Sequence, residues 1–420
     1  MKTDVLVIGG GLAGSLAAVN AAWSGRHVTL VSAGEGTLHM ESGCIDLWGG
    51  DLREGAGSPR EAIAGLAADR PDHPYSLAGL RALEEGLTVF RRLTEEAGYP
   101  YRGSIDRNYL IPTALGTLKP TGLVPPTMTA GHAPALTSLL VVGIDELKDS
   151  YPALAAENLS AVLNIPIRSA SVAMNCGDFR ELTPVQVANL LDDPDQRRAF
   201  WAKIAKVHRD EAAVALPPVL ALTPSLAVLE EGRQALKSEI FEVPSISPSV
   251  PGMRLDKVLD RALKAARVRL VKAETMEGFR KGGRVTGVRL RSLAGDGEVL
   301  CKALVLATGG LAGGAFEFEE RGSLLRERVL KLPVKAGSDR GSWTRPDWFD
   351  PLGQPLSLTG VAADNQLRPL GDDGLPELEN VFLAGRILAN QDPDLEKCGN
   401  GVAVATGYKA GLLAAEVSGI

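Results

Sequence analysis

The sequence opens MKTDVLVIGGGLAG (residues 1–14), and this stretch decides the fold, because a strand, a glycine turn and a helix start follow one another directly. Asp4 to Ile8 is short, apolar and β-branched, the pattern of a strand buried on both faces of a parallel sheet. Gly9, Gly11 and Gly14 then form G-x-G-x-x-G, and Leu12 and Ala13 open an alanine-rich helical run to Trp23. One glycine makes the tight turn, one lets the backbone approach a phosphate, and one permits close helix-on-strand packing. The phosphate then sits at the helix N-terminus, where unbonded N–H groups point outward. The strand His27 to Val31 completes a βαβ unit, which makes a nucleotide or a flavin the expected ligand.

One part of that fingerprint is missing. An acid about twenty residues further on normally binds the ribose, but the second strand ends in Val31-Ser32-Ala33-Gly34, with Glu35 just beyond. Ser32 offers a single hydrogen bond. The ligand is then either a dinucleotide held less firmly or one with no adenosine half.

A chain of 420 residues has room for two or three domains. Its 45% hydrophobic and 23% charged residues describe an ordinary soluble protein, and the net charge of -6 argues against a nucleic-acid partner. No apolar run approaches the roughly twenty residues of a membrane helix, and the first residues lack the regions of a signal peptide; a cytoplasmic location is the expectation. Cys44, Cys176, Cys301 and Cys398 lie far apart, and the five histidines are scattered, so no metal site is expected.

The loop Thr37 to Trp48 follows the second strand, at the sheet edge where ligands of open α/β sheets bind. Ser42 and Gly43 are placed there to touch a cofactor, and His39 is its titratable group. Residues 50 to 75 read as an exposed connection, and Leu77 to Ala97 as a helix covering the sheet. Ile111 to Pro126 reads as strands and loops of a second domain, in which Lys119, with Thr117 and Thr121, either faces an anionic substrate or sits on a solvated hairpin. Leu139 to Asp145 is a further buried strand, and Thr183 to Leu191 and Asp195 to His208 are helices. In the proline-rich crossover Phe241 to Leu255, Arg254 is either an anion ligand or a surface ion pair.

The strand Lys302 to Leu306 runs into Ala307-Thr308-Gly309-Gly310, small residues expected at the same edge as Gly11. Glu317 to Asp364, with Trp343 and Trp348, reads as an irregular packed excursion. Near the end, the strand Asn380 to Ala384 is followed by Gly385-Arg386, and then by Gly399-Asn400-Gly401 at the start of a small-residue helix whose dipole faces an anion or an electron-rich ring edge. The expected fold is α/β: a Rossmann-like FAD/NAD(P)-binding flavoprotein domain, a parallel sheet with ββα-type layers, over 1–100, 250–315 and 377–420. A smaller inserted α+β cap domain is expected over 101–249 and 316–376.

VLVIGGGLAG, ALVLATGG, and NVFLAG followed by CGNGVAVATGYKAG recur in this order in flavoprotein dehydrogenases. Together with SGCIDL, PTALGTLKPT and SISPSVPGMRL, they make nearly the whole chain resemble the B subunits of anaerobic glycerol-3-phosphate dehydrogenase. The resemblance implies a flavin subunit, carrying FMN or alternatively FAD, of a complex that oxidises sn-glycerol 3-phosphate to dihydroxyacetone phosphate and reduces a quinone. It implies as partners an FAD-bearing A subunit and an iron–sulfur C subunit, through which the chain would sit at the inner face of the membrane. By position, Gly9, Gly11 and Gly14 match the phosphate turn, Ser42 and Gly43 the loop near the flavin, and Thr308 and Gly309 the second contact. Gly385 and Gly399 to Gly401 match the C-terminal cradle. Two departures stand out: Ser32 replaces the usual acid and suits FMN, and Arg386 replaces the acid that often follows Gly385, so that it would bind a phosphate directly. His39 and Lys119 are the candidates for catalytic base and phosphate anchor. The alternatives are an independent flavin dehydrogenase or reductase of a small hydroxy or unsaturated acid, and an electron-relay or scaffold subunit with no substrate site.

Overall fold

The structure is a computed structural model that describes residues 1–49, 58–174, 181–293, 295–318, 325–337 and 340–419. Cys176 and part of the 50–75 connection lie outside the described residues. The chain forms two compact units, the first from Met1–Thr37, Asp46–Leu93 and Leu259–Ile420, the second from Leu38–Ile45 and Thr94–Val258.

The first unit is built on a seven-stranded sheet in the order Arg269–Lys272, Val28–Ser32, Lys2–Ile8, Gly295–Leu306, Arg284–Ser292, Glu274–Lys281, with Val381–Leu383 also paired to Gly295–Leu306. Val5, Leu6 and Val7 have no exposed surface, as a doubly covered parallel strand requires. Ile8 pairs with Val31 on one side and Leu306 on the other, both in parallel register. Gly295–Leu306 changes partner along its length: its earlier residues pair antiparallel with Arg284–Ser292, and Leu304 to Leu306 pair parallel with Val381–Leu383. The carboxyl ends of five parallel strands therefore meet at one edge, the place where such sheets bind ligands.

Helix Leu12–Trp23 and the last helix, Gly399–Ser418, are apolar around most of their circumference and largely buried, as helices inside a large core are. They approach closely because Gly407 and Gly411 have no side chain: a Cβ at either would come within 2.5 Å of the Ala13 carbonyl oxygen and 2.4 Å of that of Ala17, respectively.

Segment 316–376, expected in the cap, belongs to the first unit. Its backbone is tied there by the Val361 bridge to Leu388 and by the Leu383 N–H, which donates to the Leu367 carbonyl. Conversely, residues 38–45, 94–100 and 250–258 belong to the second unit, where Ile45 bridges to Leu123 and the Tyr101 hydroxyl donates to the Gly43 carbonyl.

The second unit has a four-stranded sheet in the order Glu239–Glu242, Ala213–Leu216, Leu139–Ile144, Ile167–Val172, parallel throughout. Helices Pro152–Val162, Pro184–Leu190, Pro194–Val207 and Ala227–Leu236 lie in the connections. Thr183 closes a capping box and Asp193 caps the next helix. Alternation along Leu139–Ile144 feeds two cores, one taking Leu140, Val142 and Ile144 with Phe200 and Trp201, the other Leu139 and Val141 with Leu159 and Phe241. The antiparallel pair Tyr109–Pro112 and Leu118–Thr121 adds a hairpin, so a parallel α/β core carries smaller antiparallel pieces. Among the described residues, no helix is long and apolar enough to cross a membrane.

Candidate functional site

The first-unit glycines separate by physical role. Gly9 has a φ of +114°, and a Cβ there would lie 2.1 Å from the Ala307 carbonyl oxygen; at Gly14 it would lie 1.9 Å from that of Gly9. Both are needed for close packing. Gly11 is different, because a Cβ there would meet nothing within 4 Å. It stands at the N-cap of Leu12–Trp23 with no side-chain cap and leaves the open helix start that receives a phosphate. Leu12 and Ala13 are buried behind it. The Ser32 hydroxyl donates to the Gly34 carbonyl at 3.1 Å, and Glu35 pairs with Lys272.

The turn after Leu306 packs onto this one. Thr308 has a buried hydroxyl with no hydrogen-bond partner, the kind of group that a ligand atom satisfies. Gly309 adopts a φ of +77°, and a Cβ on Gly310 would come within 3.0 Å of Arg386 Cγ. Gly385, at a φ of +76°, lies against Ala13, and its N–H donates to the Thr406 hydroxyl at 2.8 Å. Arg386 donates to the Ser357 carbonyl at 2.5 Å and the Thr359 carbonyl at 3.3 Å. No described carboxylate forms an ion pair with it, and burial pulls its pKa below the usual arginine value. Asp392, Asp394 and Glu396 offset that cost only in part, and a mostly buried cation with no ion pair favours an anion beside it.

The last helix starts at Cys398 without a side-chain cap, leaving Gly399 and Asn400 half-buried at its opening. Gly401 serves packing: its N–H donates to the Asp46 carbonyl at 2.9 Å, and a Cβ would collide with the Tyr75 hydroxyl. Beneath this opening is a brace that sequence reading missed. Glu396 accepts from Arg70 at 2.5 Å, from His73 Nε2 at 3.1 Å and from the Cys398 thiol at 3.2 Å. The His73 Nδ1 accepts the Tyr75 N–H at 3.1 Å, which puts the ring proton on Nε2, facing the carboxylate. Burial pushes the Glu396 carboxyl up, but His73 and Arg70 outweigh it and hold the pKa below the ordinary range. The Cys398 thiol is pushed well up by burial and by that carboxylate. His73, Glu396 and Cys398 place three metal-ligating atoms within 4.8 Å of one another, but Arg70 and His73 already occupy the carboxylate. Nothing in the sequence joins residues 323 positions apart.

The remaining predicted residues lie in the second unit. The Ser42 hydroxyl accepts from the Cys44 N–H at 3.3 Å. Gly43, at a φ of +76°, is pressed against Pro251, where a Cβ would come within 2.7 Å. Gly43 thus seats the loop on the crossover, and Ser42 fixes the turn to Cys44. His39 Nε2 lies 3.1 Å from Asp256 Oδ2, with both side chains about a quarter exposed (25% and 26%). Lys119 is half-buried on the hairpin strand Leu118–Thr121.

Arg254 requires a correction. It has no exposed surface; its guanidinium pairs with Glu242 through contacts of 2.6 and 2.7 Å, and it also donates to the Ala221 carbonyl and the Tyr99 and Thr127 hydroxyls. With its donors spent inside the core, it is neither a surface ion pair nor an anion ligand.

Residues 4–402 match a family described as an FAD binding domain. The chain is 30% identical over 423 residues to the B subunit of anaerobic glycerol-3-phosphate dehydrogenase from Vibrio cholerae, covering 98% of this chain and 96% of that one. It is 34% identical over 442 residues to the probable B subunit of the Halobacterium salinarum enzyme, covering 99% and 98%. Among solved structures, 3-ketosteroid delta1-dehydrogenase from Sterolibacterium denitrificans aligns at 13% identity with a TM-score of 0.47, over 100% of this chain and 99% of that one. The family match supports a flavin and gives no support to the preference for FMN.

Proposed function

The chain belongs to the family of anaerobic glycerol-3-phosphate dehydrogenase B subunits, and from that premise we propose that it holds FAD at the carboxyl edge of the first unit's sheet. It is a flavin-dependent oxidoreductase and one component of a multi-subunit complex. In this reading the complex oxidises sn-glycerol 3-phosphate to dihydroxyacetone phosphate. One observation carries the cofactor assignment: the open Gly11, the unpartnered Thr308 hydroxyl and the unpaired Arg386 belong to turns packed on one another.

When bound, the flavin supplies an acceptor for the hydride of a secondary alcohol. The N–H groups beyond Gly11 bind the pyrophosphate, and Ser32 reaches the ribose in place of the usual acid. The Thr308 hydroxyl makes its missing hydrogen bond to the cofactor, with Gly309 leaving it room. Arg386 would neutralise an anion of the cofactor, and the helix opening at Gly399-Asn400-Gly401 would offer its positive end to an anion or an electron-rich ring edge. His39 takes the proton of the substrate hydroxyl while Asp256 orients its ring, and Lys119 anchors the substrate phosphate. An FAD-bearing A subunit and an iron–sulfur C subunit carry electrons on to a quinone and hold the chain at the inner face of the membrane.

Acid release of the flavin from purified chain, followed by chromatography, is expected to yield FAD. Recovery of FMN would overturn the dinucleotide reading; a chain that binds no flavin and cannot be loaded would overturn the site.

A further inference from the structure

The second unit contains a feature that flavin chemistry does not use. In its sheet, Leu139–Ile144 lies between Ile167–Val172 and Ala213–Leu216. The chain leaves Leu139–Ile144 for a neighbour on one side and later returns to its other side, so the strand order reverses there. A crevice outside the carboxyl ends of the strands at such a reversal is where open parallel sheets bind ligands. A cavity of about 360 Å³ lies at that point, bounded by the ends of Leu139–Ile144 and Ala213–Leu216 and by the chain following Glu239–Glu242. It is within the size range of small-molecule sites, roughly 300–1,000 Å³.

Its walls are apolar: Leu147, Ala155, Leu159, Leu216 and Val243 line it. Its polar groups include Lys148, Ser150, Thr183 and Ser245. The loop that carries Lys148 and Ser150 is tied down, since the Lys148 N–H donates to the Leu182 carbonyl at 3.0 Å and the Ile144 N–H to the Ser150 hydroxyl at 3.2 Å. The Lys148 ammonium has no carboxylate within ion-pair distance among the described residues, whereas Asp149 beside it also faces the cavity. With one cation and one acid the lining carries no net charge and has nothing to hold a doubly charged phosphate, and Lys148 is its one group able to pair with a monoanion.

We infer that this cavity binds a monoanionic amphiphile, a carboxylate carrying an apolar ring or chain, with the apolar part between Leu147, Leu159 and Val243 and the carboxylate at Lys148. The site is lined wholly by the second unit and stands whether or not the flavin assignment does.

The test uses the full chain as purified and 8-anilinonaphthalene-1-sulfonate, a monoanionic aromatic probe, followed by fluorescence. Saturable binding at one site per chain is expected, displaced by octanoate and up to about fivefold less well by uncharged octanol, the scale of one exposed charge pair. Ser245→Trp, which fills a half-exposed position of the lining, is expected to abolish probe binding. Lys148→Glu, at an exposed position, is expected to weaken it about fivefold while the circular dichroism and melting temperature stay unchanged. Probe binding that survives both substitutions, or octanol competing as well as octanoate, would overturn the inference.

Discussion

At the scale of single residues, glycines that look alike in sequence do different things. Gly11 faces open space while Gly14 faces the Gly9 carbonyl, so substitutions should separate binding from stability. Gly11→Val is expected to leave the apo melting temperature nearly unchanged and to lower FAD content at least tenfold. Gly14→Ala should cost about 1–3 kcal/mol of stability through overpacking, read as a fall in melting temperature before any flavin is added. Arg386 makes the complementary case. Arg386→Met removes a cation that burial disfavours, so the apo protein should melt no lower than the parent, while its FAD dissociation constant rises. Equal loss of stability and flavin would instead mark Arg386 as a packing residue.

At the scale of elements, the fit between Leu12–Trp23 and Gly399–Ser418 couples the phosphate turn to the C-terminal cradle through a line of missing side chains. Another local device is the strand Leu325–Glu327, whose buried Glu327 accepts the Val329 and Leu330 N–H groups at 2.9 and 2.6 Å. Burial raises its carboxyl from 4.5 to about 6, with those N–H groups and nearby cations opposing the rise. The folded state therefore holds its proton more tightly than the unfolded state, and stability falls as pH rises through that interval. The fall amounts to about 2 kcal/mol. In Glu327→Gln this component should disappear; a parent and variant with parallel melting-temperature profiles between pH 4 and 7 would contradict it.

At the scale of the whole molecule, two units with separate sheets predict two unfolding transitions in urea rather than one. Added FAD should raise the midpoint of only the first unit's transition. Arg254→Ala should lower only the other, by about 3–5 kcal/mol, since it strands Glu242 in the core without its partner. A single transition that responds to both changes would show the units unfolding together.

Gly9 to Gly14, the strands beside them and the last helix were legible in the sequence, because glycine spacing and apolar periodicity are local consequences of backbone sterics and burial. The same local logic extended to Thr308-Gly309 and Gly385-Arg386 as one edge, since each follows a short apolar strand. Charge does not carry its surroundings with it. Arg386 follows Gly385 directly and Arg254 lies two residues after Gly252, and only the tertiary structure gives Arg254 a buried Glu242 and leaves Arg386 with carbonyl hydrogen bonds and no ion pair. The same holds for the His73–Glu396–Cys398 brace and for the sheet reversal at Leu139–Ile144, where chain segments far apart in sequence meet. Local chemistry by itself determined which backbone turns this protein makes; three-dimensional packing decided which charges are spent on the fold and which remain for a ligand, because a charge acts through whatever lies within a few ångströms of it.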